Sequence, residues 1–228
     1  MKYLYLGLTI LVLVGIAVGI IFLPQKIIIT QINCPACDSD LQVKFKSLIG
    51  KNWRTVNTKV SSDLTNNPEV IGSAVKFKLP NTLDVDVVYD QPLYMVHPIG
   101  GTIYYFINKN GLVIKIAGTA SLPTLDYSGM LPNVGEKVDP KMLFALDTLN
   151  AIYYSYQIKS AVVKDDSLTV VTPEGISVIF PLEGDQKALL GAFKLIIDRL
   201  KIGGSQNGVD NLGRIGSVDL RFKNPVLK

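Results

Sequence analysis

The chain opens with an apolar run and continues as an alternation of apolar and polar positions. Residues 3–23 form a run of 21 without a charged side chain. A helix of that length spans roughly 30 Å, the thickness of a bilayer core. The apolar run of a cleaved signal peptide is shorter, about 7–15 residues, although Ala17-Val18-Gly19 leaves that alternative open. We expect residues 1–23 to be a retained single-pass anchor, with a short cytoplasmic N-terminus and the body of the protein outside.

The pattern over residues 26–92 predicts a small unit of order β-α-α-β-β. Side chains branched at Cβ favour a first strand over residues 26–32. Apolar positions then recur at helical spacing in two segments, the first with Asp40 as its expected N-cap. Residues 75–79 and 83–87 alternate between apolar and polar side chains, which is typical of two strands. The helical positions are Leu41, Phe45, Leu48 and Ile49 in the first segment and Val56, Val60 and Leu64 in the second.

The pattern over residues 93–228 predicts a mainly antiparallel β-domain with two helices. Asn110-Gly111 between two apolar runs indicates a hairpin. Asp139 and Asp185 are the expected N-caps of the helices, and residues 203–208 are expected to form a loop. The predicted strands are residues 103–107, 112–116, 158–163, 168–172, 176–181 and 215–222. The fold class is therefore α+β, with a transmembrane helix, a β-α-α-β-β domain and a β-domain.

Composition and charge narrow the function classes. The chain has 228 residues, 48% of them hydrophobic, and 23 basic against 19 acidic side chains, which excludes a disordered chain. The stretch from Lys44 to Lys78 contains seven basic side chains and only two acidic ones, Asp63 and Glu69. The basic side chains are compatible with an anionic lipid surface or with an ordinary solvated face. Trp53 is the only tryptophan of the chain, the aromatic pattern does not support nucleic-acid binding, and we expect no nucleic-acid partner.

Few residues are available for catalytic or metal chemistry. The single histidine and two cysteines exclude a multi-cysteine zinc module, and we expect no metal and no cofactor. Cys34 and Cys37 are three positions apart, and a local disulfide is the expected state, with two free thiols or redox chemistry as the alternatives. No phosphate-binding loop or metalloprotease motif occurs. We therefore predict a protein without enzymatic activity, catalytic residues or a small-molecule substrate.

Several short motifs, in this order and spacing, resemble the FtsQ/DivIB family of bacterial cell division proteins. They are Asn66-Asn67-Pro68-Glu69-Val70, Leu79-Pro80-Asn81-Thr82-Leu83, Asn110-Gly111-Leu112-Val113, Leu122-Pro123-Thr124-Leu125 and the ending over residues 217–226. The resemblance implies a POTRA domain over residues 26–92 and a β-domain over residues 93–228. It also implies a non-enzymatic scaffold at the division septum that binds the small coiled-coil proteins FtsB and FtsL outside the membrane.

The resemblance places the partner-binding strand near the C-terminus. The expected binding residues are Ser217, Val218, Asp219, Leu220, Arg221 and Phe222. We expect Val218, Leu220 and Phe222 to seal the core, and Asp219 and Arg221 to face water, because side chains alternate along a strand. An edge strand could accept a strand from a partner, whereas an internal strand would be only structural. The alternative functions are a POTRA-type membrane-anchored secretion or assembly chaperone, or a thiol oxidoreductase using Cys34 and Cys37.

Overall fold

The computed structural model describes residues 27–206, 216–222 and 224–227. The chain divides into two compact units, Met1–Asp90 and Gln91–Lys228, and the described residues form an α+β fold with four helices. The predicted anchor over residues 1–23 lies outside the described residues. Within the described ranges, no helix combines the length and the apolar character needed to cross a membrane.

The first unit has the predicted order of elements. These are β1 (Gln31–Asn33), α1 (Ser39–Lys46), α2 (Trp53–Thr65), β2 (Val70–Lys78) and β3 (Thr82–Tyr89). The sheet order is β1-β3-β2, with β1 parallel and β2 antiparallel to β3. Both helices pack their apolar stripe against this sheet. The buried core consists mainly of Leu41, Phe45, Val56, Val60, Leu64, Leu83 and Val85.

Two boundaries of this unit differ from the prediction. The first strand was expected over residues 26–32, but it is Gln31–Asn33. The preceding residues bond elsewhere, because the Ile29 carbonyl accepts from the Gly50 amide at 2.8 Å. The N-cap of α1 is Asp38 rather than Asp40, and its carboxylate accepts a hydrogen bond from the Leu41 amide at 2.8 Å.

In its described residues, the second unit contains a nine-stranded sheet and two helices. The strands are β4 (Tyr94–Pro98), β5 (Tyr104–Ile107), β6 (Val113–Ala117), β7 (Thr124–Tyr127), β8 (Ser160–Lys164), β9 (Ser167–Val171), β10 (Ser177–Pro181), β11 (Ser217–Asp219) and β12 (Val226–Leu227). The helices are α3 (Pro140–Tyr156) and α4 (Gln186–Gln206). The order across the sheet is β12-β11-β10-β9-β8-β7-β4-β5-β6.

This sheet is mixed, with five antiparallel and three parallel pairs. The parallel pairs are β4–β7, β7–β8 and β10–β11. The apolar pattern did not predict β4, β7 or β12. The predicted loop over residues 203–208 is also wrong in its described part, since α4 continues to Gln206. Gly203 and Gly204 weaken a helix by only about 1 kcal/mol each, which tertiary packing can outweigh.

Both helices share one core with the sheet. Val96, Leu125, Val170 and Val178 lie in this core together with Leu146 and Phe193 of the helices. Because neighbouring side chains point to opposite faces of a strand, the intervening residues lie on the other face. On that face, away from the helices, one row of residues that are paired in register on adjacent strands runs across seven strands. The row consists of His97, Asp126, Val162, Thr169, Ile179, Asp219 and Val226.

Candidate partner-binding surface

The C-terminal segment forms the last two strands of the nine-stranded sheet. β11 runs parallel to β10, with Val218 opposite Val178. The Leu220 amide extends this pairing by donating to the Ile179 carbonyl at 2.8 Å. β12 then pairs antiparallel with β11, placing Leu227 opposite Val218 and Val226 opposite Asp219. Among the described strands, β12 is therefore the last at this side of the sheet, and β11 lies between two neighbours.

The predicted strand over residues 215–222 is shorter in the structure. It covers only Ser217–Asp219, and residues 220–222 follow it. Val218 and Leu220 are buried, as expected for side chains that seal the core. Phe222 is not: it is 58% exposed, because the chain has left the strand and the alternation no longer applies.

Asp219 also differs from the expectation of a water-facing charge, since the residue is only 5% exposed. Its carboxylate accepts hydrogen bonds from Nε and Nη2 of Arg221, at 2.9 and 2.7 Å, and from the Arg221 amide at 3.1 Å. A two-pronged guanidinium–carboxylate pair is strong and directional. The hydrogen bond and the charge of Asp219 raise the pKa of Arg221. The pair fixes the turn that leaves β11.

Three apolar side chains of the C-terminal segment are exposed, and Val226 and Leu227 point to opposite faces of the sheet because they are neighbours on β12. Phe222, Val226 and Leu227 are 58%, 37% and 50% exposed and together are named the terminal patch. No described strand pairs with the outer side of β12. An open edge offers backbone N–H and C=O groups, and neighbouring apolar side chains can add contacts with a partner strand.

Of these residues, the family resemblance named Phe222, although its side chain was expected to seal the core, and Val226 and Leu227 were not named. Two apolar residues directly after Pro225 were the only signal. A two-residue strand is too short to show an alternation, and its pairing depends on β11 being in place.

The two cysteines lie at the other end of the described chain, in the first unit. Cys34 and Cys37 are joined by a disulfide, and their Cα atoms are 5.4 Å apart. The bond closes the turn directly before α1, where the Gln42 side-chain amide donates to the Cys37 carbonyl at 2.9 Å. The described residues contain no group of histidine, cysteine and acidic side chains that could hold a metal ion.

The single histidine has a structural setting. His97 Nδ1 lies 2.8 Å from Asp126 Oδ1, and Nε2 lies 3.0 Å from the Gly101 carbonyl. Its ring stacks on Tyr104 with the ring centroids 4.9 Å apart. These contacts join β4 to β7 and to the turn after β4.

Among the described residues, the α+β fold ends its larger sheet in an edge strand with exposed apolar side chains, which is compatible with a protein-interaction module. Residues 98–221 match the family model of the cell division protein FtsQ/DivIB C-terminal domain, which is more than half of the chain. The chain is therefore a cell division protein of the FtsQ/DivIB family. No curated protein matches it.

Proposed function

We propose that this protein is a single-pass membrane scaffold of the bacterial divisome. In this proposal residues 3–23 anchor it in the cell membrane, and its body lies outside the cytoplasm at the division septum. Residues 26–92 act as a POTRA-like domain, and residues 93–228 act as the β-domain that binds partners. Family membership supports the division role, and the β-α-α-β-β order supports the POTRA-like assignment.

The partners we propose are small coiled-coil division proteins of the FtsB and FtsL type. The observation that carries this proposal is the open edge of β12 beside the terminal patch. A partner strand would pair with the backbone of β12, and its side chains would contact Phe222 and Val226. Residues 217–222 remain the proposed binding segment, in which Val218 and Asp219 hold β12 in position and Arg221 and Phe222 reach the surface.

The exposed and buried positions of this segment decide which variants test the proposal. Leu220 is unsuitable, because a charge at a side chain that is 4% exposed would disrupt the core. Phe222→Asp combined with Val226→Asp changes only exposed or half-exposed side chains. Val171→Asp combined with Ile103→Asp is the matched control, since these side chains are also exposed and lie away from the terminal patch.

The experiment is affinity capture of the full chain from detergent-solubilised membranes, followed by identification of the bound proteins. Circular dichroism and urea unfolding first establish that all variants are folded. We expect the wild type and the control variant to retain small coiled-coil membrane proteins, and the Phe222/Val226 variant to lose them. Equal capture by all three would refute the binding surface, and capture of an outer-membrane assembly partner instead would refute the scaffold function.

A further inference from the structure

The turn between α1 and α2 is bonded to the residues that directly follow the predicted membrane anchor. The Trp53 amide donates to the Ile27 carbonyl at 2.8 Å, and the Ile29 amide donates to the Lys51 carbonyl at 3.0 Å. Ile28 forms a β-bridge with Asn52 between these two bonds. Residues 50–53 and residues 27–29 are therefore held side by side by backbone bonds.

Exposed lysines and isoleucines occur in a short stretch here, comprising the last turn of α1, the turn that follows it and the residues bonded to that turn. Ile28 and Ile49 are 53% and 43% exposed. Lys44 and Lys46 occupy the last turn of α1, and Lys51 follows in the turn. The juxtamembrane patch is defined as Ile28, Lys44, Lys46, Ile49 and Lys51.

The charges of this patch are not neutralised locally. None of its three lysines forms an ion pair with another described residue, whereas Lys59 and Lys76 of the same unit lie 3.9 and 3.2 Å from aspartates. The acidic residues of α1, Asp38 and Asp40, lie at its N-terminal end, opposite the lysines. Lysines at a helix C-terminus also favour the helix dipole, but that effect does not account for the two exposed isoleucines.

Chain length places this patch close to the bilayer if residues 3–23 span it, so the inference rests on the anchor in the proposed function. Three residues lie between Leu23 and Ile27, and the four steps from one to the other span at most about 14 Å in an extended chain. The headgroup layer occupies roughly 5–7 Å of it. The remaining gap is about 8 Å or less, which is the Debye length at physiological salt.

We propose that the juxtamembrane patch binds the anionic lipid headgroups of the membrane in which the protein is anchored. Lysine side chains near such a surface are attracted by its negative potential. Ile28 and Ile49 add apolar contacts at the boundary between the headgroups and the acyl chains. Tethering by the anchor gives these lipids a high effective concentration at the patch. The contact restrains the first unit against the membrane surface.

Trp53 is a natural probe for this contact, because it is the only tryptophan and its backbone belongs to the bonded turn. The experiment reconstitutes the full chain in bilayers of phosphatidylcholine, with or without phosphatidylglycerol, that carry a nitroxide quencher on a fraction of the headgroups. The test variant is Lys44→Gln/Lys46→Gln/Lys51→Gln. The matched control, Lys137→Gln/Lys159→Gln/Lys187→Gln, removes three exposed lysines from the second unit.

We expect phosphatidylglycerol to increase quenching of Trp53 in the wild type and in the control, and high salt to abolish the increase. The test variant should lose the increase while remaining resistant to alkaline extraction from the bilayer. If the protein is inserted but Trp53 quenching does not change with phosphatidylglycerol, the lipid contact is refuted while the anchor stands. The same conclusion follows if quenching does not change on substitution of the three lysines. Protein that is released by alkaline extraction would overturn the anchor, and this inference with it. If the three substitutions leave quenching unchanged but remove an acidic protein in affinity capture from solubilised membranes, the patch binds that protein and the lipid contact is refuted.

Discussion

Asp219 is a buried carboxylate at the point where the chain leaves β11, and its hydrogen bonds to Arg221 fix the turn there. The alternation of side chains predicted a solvated aspartate, but the row of facing residues places it between Ile179 and Val226. A buried carboxylate requires partners. Arg221, two positions along the chain, supplies three of its hydrogen bonds.

We predict that Asp219→Asn destabilises the second unit. Replacing the buried charge weakens a charge-assisted pair and leaves polar groups imperfectly satisfied, which costs about 1–3 kcal/mol in unfolding free energy. Urea unfolding of the variant and the wild type measures this difference. Asp166→Asn is the control, because Asp166 pairs with Lys141 through side chains that are at least half exposed, and exposed pairs contribute little. Equal effects of the two substitutions would contradict the structural role of Asp219.

His97 has a hydrogen-bond pattern that depends on its protonation. Both ring nitrogens face acceptors, the Asp126 carboxylate and the Gly101 carbonyl. Only the charged imidazolium can donate to both, since a neutral ring has a single N–H group. The hydrogen bond to Asp126, followed by that to the Gly101 carbonyl, raises the pKa of His97.

We predict that His97 makes stability depend on pH. A pKa that is raised in the folded state gives stabilisation that is fully present below the ordinary pKa of about 6.5. That stabilisation is lost as pH rises through the raised pKa. Urea unfolding of the wild type and His97→Asn across a pH series measures it, and the difference in unfolding free energy should be larger in acid and shrink towards alkaline pH. A difference that stays constant with pH would show that His97 does not titrate in this way.

At the scale of elements, local signals predicted helices better than strands. Asp139 caps α3 as expected, with Pro140 in its first turn. The capping aspartate of α1 was misplaced by two residues, because both Asp38 and Asp40 can cap and only the path of the Cys34–Cys37 turn decides between them. β4 and β7 were missed since they pair in parallel with strands distant in sequence, and a four-residue strand carries little pattern of its own.

Gly191 in α4 gives a prediction about helix stability. A Cβ atom there would meet nothing within 4 Å. Gly191→Ala should therefore stabilise the second unit by about 0.5–1 kcal/mol, because alanine loses less backbone entropy in a helix. Thermal unfolding measures the effect. Gly111→Ala is the contrasting variant: its φ is +78° and a Cβ would lie 3.3 Å from Val138 Cγ2, so it should destabilise. A lower melting temperature for Gly191→Ala would contradict the open space at that position.

At the scale of the whole molecule, the order of elements and motifs along the chain indicated the protein family better than any single motif did. The β-α-α-β-β order and the motifs along the chain resembled the FtsQ/DivIB family, and the match over residues 98–221 confirms that relationship. The candidate surface was predicted only in part. The resemblance named Phe222, but the alternation of side chains placed it toward the core instead of the surface. The position of β12 beside β11 depends on how residues 224–227 return along β11, which no local pattern encodes.

The measurement that tests the central claim most directly is hydrogen exchange of the full chain with and without a purified coiled-coil division protein of the proposed FtsB or FtsL type. Strand addition to β12 predicts slower exchange of the Val226 and Leu227 amides in the complex, because the backbone of β12 gains hydrogen bonds on its outer side. It also predicts that Phe222→Asp/Val226→Asp removes this protection, while Val171→Asp/Ile103→Asp keeps it. Protection confined to other surfaces of the protein would contradict the assignment of β12 and the terminal patch as the binding site.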